Sequence, residues 1–88
     1  MKIKIKKIQK VLKKRAELIY GESQELYVKL NEVILDFENN NATILGTYGS
    51  KTGENQFDVN FEMCCTVKDV KNIKLLDGMF MQLINNLE

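Results

Sequence analysis

The run from Gln56 to Val67 limits what this chain can fold into more than any other stretch. Phe57, Val59, Phe61, Met63, Cys65 and Val67 alternate with Asp58, Asn60, Glu62, Cys64 and Thr66. Successive side chains on an extended strand point to opposite faces of a sheet, so this period of two predicts a half-buried strand with one wet face. Such a strand needs neighbours, and its apolar face needs a cover. Two segments with helical apolar spacing, one at each end of the chain, are the covers on offer.

At the N-terminal end, Ile5, Ile8, Leu12, Ala16 and Ile19 fall in one stripe, which predicts an amphipathic helix over roughly Lys4 to Tyr20, stopped by Gly21. The alternation of Ile3 and Ile5 leaves a short initial strand open, although no turn residue separates it from the helix. Arg15 falls inside the apolar stripe. We expect it to snorkel at the edge of the stripe rather than pair with an acid from the sheet. At the other end, Val70, Ile73, Leu76, Phe80, Leu83, Ile84 and Leu87 form a second helical stripe. Thr66 and Asp69 stand in the spacing of a capping box at its start. Gly78 lies inside this helix, so a kink or a close neighbour is expected there.

Between the helices, residues 24–38 have two readings. As a helix, Leu26, Leu30, Val33, Ile34 and Phe37 share a face, with Ser23 as a cap, but Val28 and Leu35 are stranded on the polar side. As an extended segment, Leu26, Val28 and Leu30 alternate, then Val33, Leu35 and Phe37 do, with a phase slip near Asn31 that a bulge explains. We prefer the extended reading, because it supplies a third strand and turn residues follow it. Asn39 to Asn41 is that turn, asparagine being tolerant of left-handed backbone. Ala42 to Tyr48 reads as the next strand, with Gly46 a candidate bulge, and Gly49 to Asn55 as a polar loop. The expected fold is a single α+β domain over residues 1–88. It is a three-stranded antiparallel meander flanked by N-terminal and C-terminal helices, with one layer of helices on one sheet face.

Composition bounds the function. A content of 44% hydrophobic and 28% charged residues is that of a globular domain, and no run approaches a membrane span. With no secretory signal pattern either, the expected compartment is the cytoplasm. The two cysteines, Cys64 and Cys65, are adjacent and would point to opposite faces of a strand, so free thiols are expected. Histidine is absent, and two adjacent cysteines without a spaced second pair do not make a zinc site. Asp36 with Glu38, and Asp58 with Glu62, read as the wet face of a sheet. Gly46, Gly49 and Gly53 lack the order of a phosphate-binding loop. No enzyme, cofactor, metal or small-molecule substrate is expected.

Two surfaces stand out instead. The first sixteen residues hold eight cations and no acid, leaving five lysines against twelve acids in the remainder. On the helix face opposite the apolar stripe lie Lys2, Lys6, Lys7, Lys10, Lys13 and Lys14, a candidate site for nucleic acid or another anion. The bland alternative is a solubilising face, since no aromatic residue is interleaved for base stacking. On the last helix, Leu75, Met79 and Leu83 are spaced four apart beside the main stripe, a ridge suited to a partner protein or a homodimer seam, the alternative being a helix buried over a wide arc by the sheet and the first helix. The order helix, three strands, helix resembles that of double-stranded RNA-binding domains. Lys68, Lys71 and Lys74 stand where that family carries a basic cluster, but Asp69 is among them and an alanine-rich helix start is missing. That family recognises RNA by shape, and the similarity here stops at element order.

The expectation is therefore a small non-enzymatic binding protein acting through contacts with another protein or with itself. Its size and composition are like those of inhibitors and accessory proteins encoded by phages and mobile elements. The alternative is a nucleic-acid-binding accessory protein using the lysine face.

Overall fold

The computed structural model of the chain describes residues 3–21, 25–51 and 56–87. Helix α1 (Ile5–Tyr20) is followed by strands β1 (Leu26–Asp36), β2 (Asn41–Ser50) and β3 (Phe57–Cys65), a 3₁₀ turn (Asp69–Lys71) and helix α2 (Ile73–Leu87). The strands form one antiparallel sheet in the order β1-β2-β3. The element order is the expected α-β-β-β-α.

Alternation sets the faces. Across the sheet, Val28 pairs with Tyr48 and Tyr48 with Val59, while Ile44 pairs with Val33 and with Met63. These residues share the inner face with Leu26, Leu30, Ala42, Phe61 and Cys65. Ile8, Leu12 and Ala16 of α1 and Leu76, Phe80 and Ile84 of α2 join them in one core. Burying a side chain as large as Phe80 removes enough apolar surface from water to contribute about 1.5–3 kcal/mol. Tyr48 is the hub, with its ring centroid 5.4 Å from Phe80, 6.0 Å from Phe57 and Phe61, and 6.4 Å from Tyr20. Among the described residues, no buried side-chain nitrogen or oxygen lacks a hydrogen-bond partner.

The segment with two readings is a strand, and its phase slip is real. The register of β1 against β2 shifts between Leu30 and Glu32, so Asn31 is the extra residue. The four-residue turn after β1 is tied by Asp36, whose carboxylate accepts the Asn39 N–H at 3.2 Å and the Asn39 side-chain amide at 2.8 Å. Asn40 takes the left-handed conformation, with φ of 55°. Gly21, with φ of 98°, ends α1 and donates its N–H to the Glu17 carbonyl at 2.8 Å. Ile5 opens α1, so the initial alternation is not a strand.

Several expectations need correction. Gly46 is not the extra residue of a bulge: it pairs with Leu30 at the edge of the bulge in β1 and in regular register with Phe61, whose ring crosses the space that a β-carbon would fill. Strand β2 extends through Gly49 to Ser50, further than the loop expected from Gly49 onward. Ser23 and, of that loop, residues 52–55 with Gly53 lie outside the described residues. Thr66 Oγ1 does accept the Asp69 N–H, at 3.2 Å, but this closes only the 3₁₀ turn. Helix α2 begins again at Ile73, where Asn72 Oδ1 accepts the Leu75 N–H at 3.2 Å. Gly78 has no close neighbour, since a β-carbon there would meet nothing within 4 Å.

Arg15 is also corrected. It pairs with an acid of the other helix, donating from Nε to Asp77 Oδ1 at 3.0 Å and from Nη2 to Oδ2 at 2.8 Å. Position 15 falls on the flank of the stripe that turns toward α2. There a planar fork meeting a carboxylate gives two parallel charged hydrogen bonds, which open water does not.

Candidate functional site

Because both helices cover one face of the sheet, the remaining surfaces are the outer sides of α1 and α2, the open sheet face, and the two strand edges. On α1 the buried Ile8, Leu12 and Ala16 turn the opposite side to water. Lys6, Lys7, Lys10, Lys13 and Lys14 are all exposed there, along about 12 Å of helix at the rise of 1.5 Å per residue. Lys2 lies outside the described residues. No side chain caps the first turn, at Lys4. Beside it, Lys4, Lys7 and Lys71 surround a cavity of about 210 Å³ floored by Ile8, Val70 and Ile73. Lys71 joins this end of α1 from the 3₁₀ turn, a pairing across the chain that no local spacing signals.

The ridge on α2 is only partly as expected. Met79 and Leu83 are half-buried and pack on the core, while Leu75 is 37% exposed and stands apart from them. Met79 and Leu83 instead form one wall of a groove of about 380 Å³, with Glu62, Met63 and Cys64 of β3 as the other. Leu87, 57% exposed, closes its end and was missed as a site residue. Its place in the helical stripe marked it as core, but at the end of α2 it is exposed.

The open sheet face carries Tyr27, Asn31, Thr47, Asp58, Asn60 and Glu62. Asn31 donates to Thr47 Oγ1 at 3.1 Å, and Thr47 donates to Asn60 at 3.0 Å, which makes a polar ladder across all three strands. Tyr27 reaches over Gly49 to donate its hydroxyl to Asp58, and Lys51 Nζ lies 5.2 Å from the Tyr27 ring centre. The hydrogen bond to Asp58 holds the Tyr27 hydroxyl above its ordinary pKa. Both cysteines are free, and burial, aided by the nearby Asp69 charge, pushes the Cys65 thiol up, away from the thiolate that nucleophilic chemistry uses. Asp36 is a turn ligand, held low by its hydrogen bonds from Asn39. Among the described residues, no group of three Cys, Asp or Glu side chains could hold a metal ion, and no helix is long and apolar enough to cross a membrane.

The two sheet edges differ. On β1 the bulge at Asn31 breaks the run, and the Leu30 N–H is taken by Gln9 Oε1 of α1 at 2.8 Å. On β3 the register is unbroken from Phe57 to Cys65, with no lysine or proline in the strand. Bulges, lysines, prolines and covering elements are the means by which proteins protect an edge from added strands. β1 uses three of them, the third being Lys29, whereas β3 shows none of the four among the described residues and carries only the acidic Asp58 and Glu62.

No family model, curated protein or solved structure matches the chain. The likeness to double-stranded RNA-binding domains is therefore one of element order.

Proposed function

We propose that the chain is a small non-enzymatic binding protein that works through protein contacts, and that the contact surface is the groove between β3 and α2. The observation that supports this reading is the unequal treatment of the two edges. A nine-residue strand with a regular register and no bulge, lysine or proline, beside half-buried Met79 and Leu83, is a surface suited to a partner. Immobilised wild-type chain and Met79→Lys, whose far-ultraviolet spectra are to be matched first, test it in nuclease-treated lysate. A partner protein held by the wild type and lost by the variant is the expected outcome. Equal retention by both removes the groove.

A second reading rests on the exposed lysines of α1, which suit a polyanion bound through its phosphates. Replacing Lys6, Lys10 and Lys13 by glutamate should abolish retention on a polynucleotide column at low salt. Phosphate binding releases counterions, so wild-type retention should also fall steeply as salt rises. Retention unchanged by the triple substitution excludes this reading.

A further inference from the structure

We propose that the partner adds to the sheet as a fourth strand along β3, through an extended segment in which apolar side chains alternate with basic ones. This rests on the reading above that the groove is a protein contact, and names the chemistry of what enters it. Strand addition satisfies the outward backbone groups of an edge by main-chain hydrogen bonds, and alternate side chains of the added strand then fall on the two sheet faces. On the inner side they face the groove, against Met79 and Leu83, with Gln82 and Asn86 beside them. On the outer side they meet Asp58, Asn60, Glu62 and Cys64, all exposed. That row holds two carboxylates and no cation, so lysine or arginine opposite them completes it.

The same row argues against a second copy of this chain. Pairing β3 with β3 doubles the carboxylates along one face, and like charges across neighbouring strands repel. A second copy's β1 is a poor donor strand, being bulged at Asn31 and engaged by Gln9.

The test uses the whole chain and a fluorescent nine-residue peptide alternating valine and lysine. Its controls are a peptide of the same composition in two blocks, one alternating valine and glutamate, and the valine-lysine peptide N-methylated at alternate residues. Two favourable cross-strand charge pairs replaced by like-charge contacts correspond to roughly tenfold or more in affinity. We expect the alternating basic peptide to bind, the acidic one to bind at least about tenfold more weakly, and the block and N-methylated peptides to be lost. Amide shifts should fall on residues 57–65 and not on 26–36.

Block and alternating peptides binding equally would reduce the effect to charge attraction and overturn the proposal, as would shifts centred on α1. If the peptide fails while Met79→Lys still releases a captured protein, the groove stands and the strand chemistry falls. If light scattering finds a dimer whose seam is β3, the occupant is a second copy and the proposal is wrong.

Discussion

Two glycines of the central strand decide which aromatic rings can cross it. Gly46 lies on the inner face under the Phe61 ring, and Gly49 on the outer face under Tyr27. A β-carbon on Gly46 would come 2.5 Å from Phe61 Cζ and 2.7 Å from the Lys29 carbonyl oxygen. The second of these is backbone and does not move aside. Gly46→Ala is therefore expected to destabilise by about 1–3 kcal/mol, as overpacked cores do. Gly78, with open space around it in α2, is expected to do the reverse, gaining about 0.5–1 kcal/mol as alanine. Urea denaturation of the two variants checks the pair, and a loss of stability in Gly78→Ala would contradict the open space described. A glycine inside a strand signals that something unusual happens there. Whether that is a bulge or a crossing ring depends on a partner strand some fifteen residues away, and for this reason Gly46 was misread.

At the scale of elements, legibility followed periodicity. The period of two in β3, the stripe of α1 and the phase slip of β1 were all readable, because each is a local repeat broken only by Asn31 and by the turn at Asn40. The split between the 3₁₀ turn and α2 was not, since Val70 and Ile73 stay in phase across a break at Asn72, whose backbone is extended and whose side chain caps α2. The Arg15–Asp77 pair was also hidden, because it joins the first helix to the last. Its pH dependence has a definite sign. The hydrogen bond and charge of Arg15 hold Asp77 below the ordinary carboxylate pKa of about 3.9, and the hydrogen bonds from Asn39 do the same for Asp36. A carboxyl whose folded pKa is depressed contributes stability that is fully present above its unfolded pKa and is lost as pH falls through the folded one. Arg15 itself is raised, so its share is lost only in strong alkali. The wild type is therefore expected to weaken as pH drops below about 4. Asp77→Asn should start less stable at pH 7 and lose less on acidification. Melting curves from pH 7 to 2.5 check this, and parallel curves for the two proteins would mean that the pair contributes nothing.

For the molecule as a whole, the terminal helices meet each other over a sheet made by the middle of the chain, so every element contributes to one core. Phe80 of α2 touches Tyr48 of β2 at 5.4 Å and Phe61 of β3 at 5.2 Å between ring centroids, and is completely buried. Removing it leaves a cavity bounded by both strands, and substitutions of this kind cost about 3–5 kcal/mol. At about 0.05–0.15 kcal/mol per residue, a chain of this length has total stability of roughly 4–13 kcal/mol. Phe80→Ala should thus remove roughly a quarter or more of it, and because no second core exists among the described residues to hold out, sheet and helices should be lost together. Thermal melts followed by far-ultraviolet circular dichroism, which is dominated by α1 and α2, and by tyrosine fluorescence, which senses the cluster around Tyr48, are expected to coincide in both proteins. In the variant both should shift down by the same amount. A helical signal that outlasts the tyrosine signal would mean that α1 and α2 hold together without the sheet. The open edge of β3 would then belong to a loosely docked layer rather than to a rigid platform for a partner.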